Sequence, residues 1–564
     1  MESTQAPTQS KKPLIIIAIV AAVLLLCCIC IAATGLLVKY TDVLAFLPFF
    51  GAKQSAAKIM PADTALFVSF DPDVRDSAGY KHLAEVYGDA FEDQETIEEV
   101  EDSLLDEYDI SFEDDILPWL GPELGMALTD LDDLPEGGEP NVAFVAESRD
   151  RGASDAFLEK LRESLEDQDY EVDEETYEDV TYYVQEVESE WETPMVFGSV
   201  GNFVVLATDP SIMEEIIDTH KGESDSLASN EIYNELVGKL PSDASAIFFY
   251  DMQDFADLAM EDTGVELSGD IADTLEAYKA FGIAISLDTE GIQLDFAVTL
   301  DPEKMPSGLL TTERAVTPDR ILQRVPSSAL GFVTSYIPSS YWENLQNYLE
   351  QTPDAEEQLG DFEESTGLSL DEMLGWITGE LAIVIVEAET AGEYETPIAG
   401  FSILEASDME KAHSSLEDVA EVIEEMMYVE FEDEEIGDLE MQVIVDTYSD
   451  EIVAGYGFTD EHVIIGVTES GLETATNTDV EPITNDEVFQ AVRAHLPSDN
   501  TGYMYVNVDK TWRLIYDTMS EYDQEYFDED TRPYLEPIKA IGLAGTKLDP
   551  QQGLSQATLF IYIP

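Results

Sequence analysis

The stretch PADTALFVSF, Pro61 to Phe70, joins a turn signal to a run of β-forming residues. Proline lacks the amide hydrogen that a central strand needs, so it marks the turn and the strand starts behind it. The same design returns at Pro326 to Ser335, PSSALGFVTS, an offset of 265 residues (326 − 61). Four more segments recur in the same order. WLGPEL, Trp119 to Leu124, returns as WITGEL, Trp376 to Leu381. ASD at Ala153 to Asp155 returns at Ala406 to Asp408. FVVLAT at Phe203 to Thr208 becomes VIIGVT at Val463 to Thr468, and KAFG at Lys279 to Gly282 becomes KAIG at Lys539 to Gly542. Any one match is weak alone. Five in register point to tandem duplication.

The repeats place one α+β unit at residues 57–302 and a second at 318–564. Residues 303–317 form a linker, entered through the breaker-rich PEKMPSG of Pro302 to Gly308. A finer echo lies inside each unit. LPSDASAIFFY at Leu240 to Tyr250 and LPSDNTGYMY at Leu496 to Tyr505 repeat the turn-then-strand design. The motif is too short to say whether each unit is itself a duplication.

Short β-rich runs are expected at Ala65–Phe70, Glu123–Leu128, Asn141–Val145, Tyr177–Glu186, Met195–Val200, Phe203–Ala207, Ile247–Tyr250 and Ile283–Leu287. Helices intervene. Ser154 is a suitable cap for one, with Phe157, Leu158, Leu161 and Leu165 on one face. Ser407 is the matching cap for another, with Ala412, Leu416, Val419 and Val422 behind it. Strands clustered at 177–207 favour antiparallel pairing. The fold class is therefore α+β: an N-terminal transmembrane helix, then two tandemly duplicated α+β units with mainly antiparallel sheets.

Outward from the repeats, Leu14 to Val38 is an unbroken, uncharged apolar run, LIIIAIVAAVLLLCCICIAATGLLV. As a helix it would span roughly 37 Å, enough for a hydrocarbon core of about 30 Å. Lys11 and Lys12 precede it, which places the tail 1–13 in the cytoplasm and the body outside. The run is too long for the h-region of a cleaved signal peptide, so residues 14–38 read as a signal-anchor. Residues 39–56 form a juxtamembrane linker. Within it the patch LAFLPFF, Leu44 to Phe50, suits the membrane interface. Cys27, Cys28 and Cys30 all lie inside the run, so the body must be held by its core and not by disulfides.

The chain carries 122 acidic and 25 basic residues, a net of −97. Nucleic acid is excluded as a generic partner, because phosphate binding needs Lys and Arg. Disorder is countered by 44% hydrophobic and 10% aromatic residues. The acids are spread along the chain, as befits a solvated acidic surface that loosely holds divalent cations.

No catalytic motif stands out. There is no Walker loop, no G-x-G-x-x-G, no H-E-x-x-H and no nucleophile elbow. Ser55-Ala56-Ala57-Lys58 fits S-x-x-K but lacks its companion motifs. His82, His220, His413, His462 and His495 show no metal-ligand spacing. Asp71 to Asp76 begins like a calcium loop, but Arg75 stands at the third ligand. The run Glu430 to Glu435 reads first as a solvated turn and second as a loose holder of divalent ions. Trp119 with Glu123, and Trp376 with Glu380, are the notable residues kept in both copies. They read first as core and strand residues, and second as a pair of pseudo-symmetric binding surfaces. No catalytic, cofactor or metal-binding residue is assigned.

The apolar run, MPADTALFVSF at 60–70, DDILPWLGPELGMAL at 114–128 and LPSDASAIFFYDM at 240–252 together resemble the exported bacterial proteins of domain-of-unknown-function family 3352. The resemblance covers most of the body. It implies a bacterial, membrane-anchored, extracytoplasmic protein and lends no catalytic residues. The expected function is a non-catalytic binding or structural component of the cell envelope. A carrier or chaperone would need a long apolar cavity, and a hydrolase a deep polar cleft with shifted pKa values.

Overall fold

The computed structural model describes residues 54–548 and 553–564, apart from 73, 75–76, 89–103, 106–107, 131–140, 188–192, 254–276, 306–316, 352–359, 361–362, 365, 389–396 and 447–450. Among the described residues no helix is long and apolar enough to cross a membrane. The run 14–38, the patch 44–50 and residues 73, 75 and 76 of the Asp71 to Asp76 loop lie outside them.

The chain forms helices and one antiparallel sheet of 20 strands. The first ten are β1 (Leu66–Phe70), β2 (Leu120–Asp130), β3 (Asn141–Ser148), β4 (Val172–Tyr177), β5 (Val180–Gln185), β6 (Val196–Val200), β7 (Phe203–Ala207), β8 (Ala246–Asp251), β9 (Tyr278–Asp288) and β10 (Gly291–Leu300). The second ten are β11 (Gly331–Ile337), β12 (Ile377–Glu387), β13 (Ile398–Ala406), β14 (Phe431–Ile436), β15 (Leu439–Val445), β16 (Ile452–Phe458), β17 (His462–Val467), β18 (Tyr503–Val506), β19 (Ala540–Gly545) and β20 (Leu554–Tyr562).

Pairing in the first half runs β4-β5-β6-β7-β3-β2-β1-β8-β9-β10. In the second half it runs β14-β15-β16-β17-β13-β12-β11-β18-β19-β20. The order is the same, strand for strand. The halves meet where β10 pairs with β20, from Gly291 opposite Tyr562 to Thr299 opposite Leu554. On this seam the Thr558 hydroxyl donates to Asp295 Oδ1 at 2.7 Å.

The strands at the centre of each half are rich in apolar residues, although β3 and β12 leave one face partly open, with Phe144 40% and Ile383 41% exposed. β1 is LFVSF, and its first four residues are buried. Phe67 packs edge-on to Tyr233, which in turn meets Phe249. In β11, Phe332 meets Phe489 edge-on and Tyr505 at a tilt of 32°. The free strands at the two ends of the sheet are acidic instead, VDEETY in β4 and FEDEEI in β14. Charge on an unpaired edge discourages another strand from adding to it.

Three local expectations are corrected. Tyr177–Glu186 is not one strand. Tyr177 ends β4, and Glu178 and Asp179 turn the chain with φ of 43° and 62° before β5. Two successive left-handed residues make the tight turn that suits a twisted hairpin. Ser154 is not a cap. The helix Arg151–Asp167 starts earlier, and Asp150 accepts the Ala153 amide. Likewise Asp408, not Ser407, caps Met409–Met427 by accepting from Lys411. Asp is as good a cap as Ser; the first helix starts about one turn before the expected place and the second one residue after it. Phe157, Leu158, Leu161 and Leu165 are buried as expected, as are Ala412 and Leu416, whereas Val419 and Val422 are half-buried.

Candidate functional site

Two buried carboxylates occupy matching places, one in each half. Glu123 on β2 is wholly buried, and Glu380 on β12 is 3% exposed. Each receives the chain as it enters its half. In the first half the Ser55 amide donates to Glu123 Oε2 at 2.7 Å, and the Ser55 hydroxyl bonds the same oxygen. Ser69 on β1 donates to Glu123 Oε1 at 2.9 Å. Ser55 also reaches Glu147 near the end of β3, at 3.2 Å. In the second half Arg320 takes the place of Ser55. Its Nε donates to Glu380 at 2.8 Å, and its Nη2 to both oxygens of Glu405 on β13 at 3.0 Å. The Ile321 amide completes the set at 2.7 Å from Glu380 Oε2.

The electrostatics differ accordingly. Glu380 and Glu405 share a cation, and together they hold Arg320 firmly protonated. Glu123 has only neutral donors. Burial pushes its carboxyl up, against the hydrogen bonds from Ser55 and Ser69 that pull it down. A raised folded pKa means that stability is fully present below the ordinary glutamate range and is lost as pH rises through the folded value. Glu123→Gln should therefore melt at or above the wild type at pH 7 and flatten the loss of stability with rising pH. Its amide nitrogen can donate to Ser69. Glu380→Gln should lose roughly 1–3 kcal/mol, because its amide must face Arg320 or the Ile321 amide, donor against donor. Thermal melts of both variants between pH 5 and 8 give the comparison. A marked drop in melting temperature for Glu123→Gln at pH 7 would contradict it.

Trp119 and Trp376 stand just before these strands and are 3% and 2% exposed. Neither presents a binding surface. Four of the five histidines are in contacts that a packing or surface role explains. His82 meets the Ile563 carbonyl at 2.7 Å, His220 lies against Gly201, and His413 and His495 stack on Phe458 and Phe560. Ser55 of the S-x-x-K match is engaged by Glu123. Residues 431–435 of the acidic run lie in the edge strand β14. Among the described residues no three His, Cys, Asp or Glu side chains converge as a metal site.

His462 is different. It lines a cleft of about 390 Å³ at one end of the second half. Leu439 and Ile464 supply apolar surface, and Thr459, Thr476 and Thr478 form polar walls. Arg324 and His462 face a lining that also holds Asp438, Asp460 and Glu461. Burial, and then the charge of Arg324, depress the His462 pKa. These residues come from the turn after Ile321–Gln323, the β14–β15 turn, the β16–β17 turn and the end of the helix Glu469–Thr476. Sequence reasoning dismissed His462 and did not single out Arg324. Only folding brings them together.

A mixed helix and antiparallel-sheet body, with two halves of like strand order, is the class this geometry defines. The chain belongs to the family described as Protein of unknown function (DUF3352), whose model matches residues 18–563. Among curated proteins none matches its sequence. Two solved structures, crystal forms III and IV of TP0453, are similar at 10% and 9% identity. Each match covers 43% of this chain and 79% of the other, with TM-scores of 0.24 and 0.23, and no argument rests on likeness of that size.

Proposed function

We propose that the protein is a membrane-anchored, extracytoplasmic binding or structural body of the bacterial envelope, built from two copies of one α+β unit. The seam between the halves carries this reading. β10 and β20 are equivalent strands that pair with each other antiparallel over nine residue positions. Gly291 opens β10 and Gly553 precedes β20, both at positive φ and 262 residues apart (553 − 291). A unit that pairs its own last strand with that of its copy forms a two-fold dimer. Fusing the copies makes that dimer permanent and leaves one stiff platform.

Attachment follows from the other end of the chain. The apolar run closes at Val38, and the body takes hold of the chain at Ser55 through Glu123. The platform would then be tethered close to the bilayer, with Lys11 and Lys12 on the cytoplasmic side. Its acidity would repel anionic lipid headgroups and gather divalent cations loosely. In the cleft the His462 ring makes no hydrogen bond to a threonine hydroxyl among the described residues. The geometry thus offers recognition before it offers a nucleophile-and-base pair.

Protease added to spheroplasts should remove the body, and the mature protein should retain residues 1–38. A body protected from protease, or a mature N-terminus beyond Lys39, would count against the proposal.

A further inference from the structure

The cleft exists because one helix is a turn shorter than its counterpart. In the first half Pro210–Lys221 has 12 residues, and in the second Glu469–Thr476 has 8. The longer helix carries His220 in its last turn. Its ring packs on the β6–β7 turn so closely that a Cβ on Gly201 would come within 2.5 Å of it. In the second half that turn of helix is missing. The β16–β17 turn, with Asp460 and Glu461, opens instead onto a cleft of about 390 Å³. This lies within the size range of small-molecule sites.

Its charges are unusual for this chain. With 122 acidic residues against 25 basic ones, a guanidinium readily finds a carboxylate. Among the described residues Arg324 forms no ion pair, although Asp438, Asp460 and Glu461 line the same cleft. Its neighbour Arg320, by contrast, is held by two carboxylates. The lining thus offers one fixed cation and three carboxylates in separate places. A dianion such as phosphate would be repelled by the three acids, and a simple amine would leave Arg324 unanswered. The complementary ligand carries one carboxylate and an excess of ammonium or guanidinium charge.

We propose that this cleft is a binding site for a small zwitterion of net positive charge, an amino acid with a basic side chain. Its carboxylate lies on Arg324, and its cationic groups face Asp438, Asp460 and Glu461. Leu439 and Ile464 pack against the aliphatic stem. In the first half His220 fills the corresponding space against Gly201. The inference adds a ligand class to the proposed binding role and does not depend on the anchor, because it is read on purified protein.

The test is calorimetric titration of the full chain in detergent with L-arginine and L-lysine. Saturable binding at one site per chain is expected. Agmatine, which is arginine without its carboxylate, should bind at least about tenfold more weakly, as should L-arginine to Arg324→Gln. Arg324 is half-exposed and unpaired, so this variant should melt like the wild type. Thr476→Trp fills the cleft while leaving Arg324 in place, and it should also lose binding. The proposal is overturned if neither amino acid binds saturably in the millimolar range. It is equally overturned if agmatine matches L-arginine, or if Arg324→Gln and Thr476→Trp both bind like the wild type.

Discussion

Trp376→Ala should cost about 3–5 kcal/mol of stability, and Trp119→Ala about the same. Each indole lies beneath one of the two long helices. Trp376 packs among Leu404, Ala412, Leu416 and Val463, and its Nε1 donates to the Met373 carbonyl at 2.8 Å. Trp119 lies against Phe157 with ring centres 5.2 Å apart, and its Nε1 donates to the Asp115 carbonyl at 2.7 Å. Truncation would leave a cavity the size of an indole; the Asp115 carbonyl would lose the Trp119 donor, whereas the Met373 carbonyl keeps the Ser415 hydroxyl at 3.0 Å. The two tryptophans belong to separate core clusters, so their costs should add. Chemical denaturation of the single and double variants reads this directly. A loss under about 1 kcal/mol in either would mean that the indole is not a core residue.

The second large effect is the response to salt. A chain of net −97 repels itself, and folding brings the charges closer together. The Debye length falls from about 30 Å at 0.01 M to about 3 Å at 1 M, so most of that repulsion should vanish over this range. The melting temperature should climb smoothly with sodium chloride. Calcium or magnesium should act at lower concentration, because runs such as Glu432 to Glu435 on the edge strand β14 attract divalent ions more strongly. A melting temperature that stays flat from low to high salt would show that the charge is already accommodated. A sharp rise that saturates with micromolar calcium would point instead to a dedicated site.

Strands buried on one or both faces were legible, because apolar residues with β propensity mark them. Phe203–Ala207 is found where it was expected. β4 and β14 were not legible as strands. An edge strand is kept soluble by charge, and VDEETY and FEDEEI carry little of the apolar signal a strand reading uses. The acidic run at 430–435 was read as a solvated turn, with loose ion binding second, for the same reason. The helix starts were misjudged by a few residues, because Asp150 and Asp408 cap as well as the serines nearby. Glu123 and Glu380 were noticed as repeated residues at the start of a strand, not as buried carboxylates that hold the incoming chain. Their partners, Ser55 and Arg320, lie 68 and 60 residues away and bear no resemblance to each other.

From its sequence alone the protein can be read as an α+β chain of recurring segments, rich in acid, with one apolar run near its N-terminus. Those properties are local: residue type, spacing and periodicity carry them. The seam and the cleft are not local. β10 and β20 join because the two halves of the sheet, of the same strand order, each end in an edge that the other can cover. Arg324, Asp438, His462 and Thr476 meet because hairpin turns and a shortened helix converge at one end of a sheet. That convergence depends on strand register and on one missing helical turn. Neither leaves a mark in the stretches of sequence that line the cleft, so only the tertiary structure decided it.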